Sequence, residues 1–102
     1  MKKNIDPSAP VGVFDSGVGG LTVLAELTRA LPHEDFIYYG DEANAPYGAL
    51  THDEIRRVSL GVAKKLVGMG AKAITVACNT ATAAAVEALR EAYTDIPVIG
   101  TE

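Results

Sequence analysis

The chain contains a single cysteine, Cys78, and the residues around it give that thiol a chemical setting. It closes the apolar run Ala73-Ile74-Thr75-Val76-Ala77 and is followed at once by Asn79, Thr80 and an alanine-rich stretch. A short apolar run reads as a buried strand and the alanine-rich stretch as a helix. Cys78 therefore falls between a strand's carboxyl end and a helix N-terminus, where the partial positive charge of the helix end favours a thiolate. A lone cysteine is commonly no more than a small buried apolar residue. This position instead favours a functional thiol, with Asn79 and Thr80 as donors able to hold an anionic ligand.

Three uses of a thiolate can be compared. A phosphatase-type loop needs an Arg six residues after the Cys to clamp phosphate, and Ala84 stands there. A Cys–His nucleophile needs an imidazole, but His33 and His52 lie in polar segments at or near helix ends, away from the thiol, and read as surface or capping residues. General acid–base work remains, and it calls for a carboxylate close by. Asp15 supplies one, because it ends the apolar run Val11-Gly12-Val13-Phe14.

The turn Asp15-Ser16-Gly17-Val18-Gly19-Gly20 offers backbone N–H groups to an anion before a helix begins. Its spacing fits neither the dinucleotide fingerprint nor the Walker A loop, and no Lys follows. Asp15 would also repel phosphate, so a carboxylate-bearing ligand held further along the turn fits better. Gly19 and Gly20 fit a tight turn and close helix packing equally well. Ala45-Pro46-Tyr47-Gly48 reads as a rigid turn exposing an aromatic ring, and on spacing alone a plain loop is favoured over a ligand contact. Asp41, Glu42 and Asn44 form a polar cluster without metal-ligand spacing, so no metal is expected.

The elements that must position these groups follow from periodicity and punctuation. Strands are expected at 11–14, 36–39, 73–77 and 96–99, each bounded by turn residues. Leu21, Leu24, Leu27 and Leu31 recur at helical spacing until Pro32. Thr51-His52-Asp53-Glu54 spells a capping box, and Ile55, Val58, Val62, Leu66 and Met69 continue one apolar stripe to Gly70. A third helix runs from about Thr80 to Tyr93. Strands alternating with helices predict an α/β fold: a three-layer parallel sheet of about four strands, order 2-1-3-4, with helices on both faces. In such a sheet, ligands bind beyond the carboxyl ends of the strands where the order reverses, here between the first and third strands. Asp15-Ser16 and Cys78-Asn79-Thr80 both end there, bordered by Tyr47 and Gly48.

Length and composition set the outer limits. The 102 residues are 48% hydrophobic and 22% charged, which suits one folded domain rather than a disordered chain. Residues 1–9 are expected to form a flexible N-terminal arm and 10–102 a single α/β domain. One cysteine excludes an internal disulfide, a Cys-rich zinc site and a Cys-x-x-Cys pair. A net charge of −4 with nine Lys and Arg argues against binding nucleic acid. Lys2 and Lys3 lead into Asn4–Pro10 rather than an apolar run, so no signal peptide is expected. No stretch approaches the ~20 apolar residues of a membrane span, and a cytoplasmic protein with no membrane partner is expected.

Several of these segments together resemble one family. Val13-Phe14-Asp15-Ser16-Gly17-Val18-Gly19-Gly20-Leu21, Tyr39-Gly40-Asp41, Ala45-Pro46-Tyr47-Gly48, Ala77-Cys78-Asn79-Thr80-Ala81-Thr82 and Pro97-Val98-Ile99-Gly100 are similar to motifs of the aspartate/glutamate racemase superfamily, and of glutamate racemase within it. The resemblance runs from about residue 10 to the end of the sequence. It implies a cofactor-independent enzyme that interconverts L- and D-glutamate and supplies D-glutamate for peptidoglycan. In that family two cysteine thiols flank the substrate α-carbon, and Cys78 matches the first. Asp15, Ser16, Tyr47, Gly48, Asn79 and Thr80 match substrate-contacting positions, with Asp15 also placed to assist the thiol's proton transfers.

Two departures carry consequences. Glu42 stands where the family usually has a small hydroxyl residue after Gly-Asp, adding negative charge near an anionic substrate. The family also has two α/β domains and more than twice this length, and its second catalytic Cys lies in a Cys-Thr-His motif of the other domain. This chain resembles the first part of the N-terminal domain and has one thiol. The expected partners are therefore glutamate and either the missing second domain or a second copy of the chain facing the first. An isolated monomer is expected not to racemise glutamate. The competing reading is a non-catalytic module that binds a small anion or carboxylate in the same crevice. A phosphate-binding flavodoxin-like module ranks third.

Overall fold

Four short apolar runs pair side by side as a parallel sheet, and the segments between them coil back as helices. The structure is a computed structural model and describes residues 8–15, 20–41 and 47–100. Along the chain these form β1 (Val11–Asp15), α1 (Gly20–Ala30), β2 (Phe36–Gly40), a 3-10 turn (Tyr47–Ala49), α2 (His52–Gly68), β3 (Ala73–Val76), α3 (Asn79–Ala92) and β4 (Val98–Gly100). The strand order is β2-β1-β3-β4 and every pairing is parallel. The expected fold class and strand order are therefore what forms. Residues 1–7, expected as a loose arm, lie outside the described residues.

Right-handed crossovers place α1 on one face of this sheet and α2 with α3 on the other. The second layer is the better packed. α2 buries Ile55, Ser59, Val62, Ala63 and Leu66, and α3 buries Ala81, Ala84, Ala85, Val86 and Leu89. All of these but Ser59 and Ala85 meet Phe14, Ile74 and Val76 of the two central strands in a single core. Among the described side chains of α1, none is buried.

Local chemistry explains where the elements start and stop. The Thr51 hydroxyl accepts from the Glu54 N–H at 3.1 Å, and the Glu54 carboxylate accepts from the Thr51 N–H at 2.9 Å, completing the capping box at the start of α2. Those two bonds hold the Glu54 carboxyl below its ordinary value. Gly70 ends the helix with φ of +92°, a conformation that a side chain would resist. Close layering is needed at Gly12, where a Cβ would stand 3.1 Å from Leu66 Cδ1. β4 begins two residues later than the sequence pattern suggests. Pro97 has no N–H for the ladder, though its carbonyl accepts from the Ile74 N–H at 2.9 Å.

Registers bring the strand ends level. Asp15 pairs with Gly40, Phe14 with Val76, and Val76 with Gly100. One step further, the Asp41 N–H donates to the Asp15 carbonyl at 2.8 Å and the Ala77 N–H to the Phe14 carbonyl at 2.7 Å. All four carboxyl ends thus lie along one rim of the sheet.

Candidate functional site

Cys78 stands on that rim as the N-cap of α3. Its backbone is extended, with φ −132° and ψ 122°, and its carbonyl accepts the first helical bond from Thr82 at 2.8 Å. Its sulfur accepts from the Ala81 N–H at 3.5 Å. The thiol is half-buried and packs against the edge of the core. That N–H makes the sulfur the side-chain cap of the helix start, at the junction of strand end and helix where the sequence places it. Asn79 and Thr80 follow, exposed in the first turn of α3, where backbone N–H groups have no intrahelical acceptor.

Asp15 ends the neighbouring strand and is only 3% exposed. Alternation along β1 turns its side chain toward the α1 face, where Tyr38 of β2 donates its hydroxyl to Oδ2 at 3.1 Å. The order reversal between β1 and β3 thus sets a buried carboxylate and a half-buried thiol at the ends of adjacent strands. Ser16, expected beside them, lies outside the described residues, as does Glu42.

The Tyr47–Gly48 turn differs from its expectation. The ring of Tyr47 was expected to face solvent, yet it is 2% exposed. It packs on Phe14 with ring centroids 6.0 Å apart and a tilt of 54°. Its hydroxyl donates to Asp41 Oδ2 at 2.6 Å, and Asp41 is itself buried at the end of β2. Burial of the ring is the main reason the Tyr47 phenol is pushed far above its ordinary value of 10. The bond to Asp41 and the nearby charges of Asp41, Cys78 and Tyr39 push the same way. Asp41 and Cys78 each lie within electrostatic reach of Tyr47. Gly48 is exposed, and a Cβ there would meet open space, so its backbone is approachable.

Two polar residues of this rim, Asp41 and Tyr38, escaped the sequence reading as members of the site. The available signal was Gly40-Asp41, an acid placed just past the end of β2 as Asp15 is placed at the end of β1. Further out, Lys65 of α2 donates to the Tyr39 hydroxyl at 3.0 Å and lies 5.2 Å from that ring's centroid. That bond raises the Lys65 ammonium above its ordinary value.

A cavity of about 570 Å³ runs along α3 and β4, lined in part by Arg56, Thr82, Arg90 and Gly100. None of the residues expected to carry chemistry lines it. The Arg56 and Arg90 Nε groups are occupied there by the Ala84 and Val98 carbonyls. Among the described residues no cluster of three His, Cys, Asp or Glu side chains is arranged to hold a metal, and no helix is long and apolar enough to cross a membrane.

Known proteins share both this sequence and this fold. The family model for Asp/Glu/hydantoin racemases matches residues 11–102. A glutamate racemase of Clostridium novyi is 56% identical over 93 residues, which is 91% of this chain and 36% of that protein. The crystal structure of Thermus thermophilus glutamate racemase in complex with β-chloro-D-alanine superposes with a TM-score of 0.89 at 54% identity, covering 93% of this chain and 37% of that one. The glutamate racemase of Francisella tularensis in complex with D-glutamate gives 0.87 at 45% identity, covering 91% and 35%. The chain thus spans little more than a third of the length of the relatives it matches.

Proposed function

Since the chain belongs to the Asp/Glu/hydantoin racemase family, we propose that it forms the first part of a glutamate racemase and supplies one of the two groups that invert the substrate's α-carbon. Cys78 is the base on one face. Its thiolate takes the α-proton and becomes a thiol, while the electron pair of the broken C–H bond stays on carbon and spreads into the adjacent carboxylate. A second acid then returns a proton to the opposite face. This chain has no second thiol, so that group belongs to the part of the relatives' length that it does not span.

The observation that carries this reading is the placement of Cys78 as the N-cap of α3, with the Ala81 N–H on its sulfur and the strand bearing Asp15 alongside. In the proposal Asp15 contacts substrate and assists the thiol's proton transfers. Ser16, Asn79 and Thr80 hold the substrate's polar groups, the latter two from the N–H-rich start of α3. Tyr47 and Gly48 complete the contacts, through their backbone because the Tyr47 hydroxyl is already bonded to Asp41. The reaction calls on no cofactor. Its product would serve peptidoglycan synthesis in the cytoplasm.

The test is a chimera in which residues 10–102 replace the matching part of the Clostridium novyi relative. It should racemise L-glutamate, followed by optical rotation, and lose that activity on Cys78→Ala. The 102-residue chain alone should give no useful rate, since one thiol covers one face and half a site leaves the developing carbanion open to water. A folded chimera without racemase activity, or one indifferent to Cys78→Ala, would defeat the proposal. So would robust turnover by a proven monomer of the short chain.

A further inference from the structure

A carboxylate taken out of water is costly unless hydrogen bonds hold it, and Asp15 is buried at 3% exposure. Tyr38 donates its hydroxyl to Asp15 Oδ2 at 3.1 Å. The strand register shows how a residue so far away in sequence reaches it. Val13 pairs with Tyr38 and Asp15 with Gly40, so Tyr38 stands on the face of the sheet that Asp15 occupies, one pleat short of the rim. The β2 residue level with Asp15 is a glycine without a side chain, and the phenol reaches past that position to the carboxylate. We propose that Tyr38 is a positioning residue for the racemisation: its hydroxyl fixes the Asp15 carboxylate at the strand end, in the orientation from which Asp15 assists Cys78.

This role for Tyr38 rests on the one given to Asp15 in the proposed reaction. A group that assists proton transfer tolerates little displacement, since a shift of about 1 Å can cost ~10²-fold in rate. The neighbouring strands offer Asp15 Gly40 on one side and, just past β3, Ala77 on the other, and neither has a polar side-chain atom. The helix on this face, α1, buries none of its described side chains. Tyr38, by contrast, is half-buried within β2, and its backbone lies in the ladder with β1. It therefore carries the fixed geometry of the sheet to the carboxylate at the end of β1. The bond is charge-assisted when Asp15 is ionised, which places it among the stronger hydrogen bonds.

The test compares the chimera with its Tyr38→Phe variant, which loses the hydroxyl and keeps the ring, on glutamate deuterated at the α-carbon. Cys78 takes the α-proton from one enantiomer and delivers a proton when that enantiomer is formed again from the other. Slowing this one step should raise the deuterium isotope effect for the first enantiomer and lower it for the second. The kcat of Tyr38→Phe should fall about tenfold, while KM moves less than about twofold. Asp15→Ala should bring the same pair of isotope shifts, and Tyr38→Phe added to it should change neither further. Should Tyr38→Phe fail to fold, Tyr38→Leu carries the same expectation. A variant that is only less well folded would lower kcat with both isotope effects unmoved, and that result would overturn the inference. So would an active chimera indifferent to Tyr38→Phe, or a Tyr38→Phe loss undiminished in the Asp15→Ala background; in these cases the racemase reading stands. A chimera inactive with Tyr38 in place refutes the racemase reading and the role of Tyr38 with it.

Discussion

Replacing Cys78 by Ser separates the two roles of this side chain, capping and chemistry. The sulfur accepts from the Ala81 N–H at 3.5 Å, and sulfur is a weak acceptor. A serine hydroxyl at the same extended N-cap accepts more strongly, whereas Ala accepts nothing. Exchanging Ser for Ala at an N-cap typically costs ~1 kcal/mol. In a domain of this size that gap corresponds to roughly 4–8 °C in melting temperature. The expected order of stability is therefore Ser above Cys above Ala, with the wild type nearer the middle. Thermal unfolding followed by far-UV circular dichroism measures it. In the same preparations, alkylation at position 78 and the racemase activity of the chimera should be lost in both variants. If Cys78→Ser melts at or below Cys78→Ala, the side chain does not cap α3. The placement of the thiol at the helix end would then be wrong.

Other outcomes can be read from the same packing. The Tyr47 phenol stays protonated in the fold far above its ordinary value of 10, while the unfolded chain ionises near that value. Stability from this residue is therefore complete below about pH 10 and falls as pH rises beyond it, because the unfolded state then binds fewer protons. Denaturant midpoints measured upward from neutrality should show the decline, and Tyr47→Phe should flatten it above pH 10. Leu66 is fully buried beneath Gly12, and Leu66→Ala should cost about 2–5 kcal/mol in chemical denaturation, the range for a truncated core leucine. A loss under 1 kcal/mol would mean that the α2 layer is not packed on the sheet as described.

Much of the frame was legible because it is local. Apolar runs closed by turn residues mark β1, β2 and β3, and Thr51 with Glu54 marks the start of α2 without reference to anything distant. Cys78 was legible for the same reason, since a strand end and a helix start flank it in sequence. Pro97 shows where local reading slips: the pattern includes it in a strand, and its missing N–H delays the ladder to Val98. The Tyr47 side chain was misread as exposed. Pro46-Tyr47-Gly48 carries every mark of a surface turn, and nothing in its spacing announces a buried acid six residues upstream. Only closure of the sheet brings Asp41 and Phe14 to that ring. The Asp15–Tyr38 bond was hidden likewise, since it depends on the register of two strands paired across α1.

The uneven covering of the sheet has a dynamic consequence. Local opening costs least where few side chains are shut away from water, and such segments exchange their amide hydrogens first. The layer of α2 and α3 shuts away ten side chains, whereas α1 contributes none among those described. Excursions of α1 would bare the flank of the sheet that bears Asp15 and Tyr38 while the sulfur at the head of α3 keeps its amide partner. The acid and the thiol would then belong to cooperative units of unequal rigidity, one able to breathe while the other stays set.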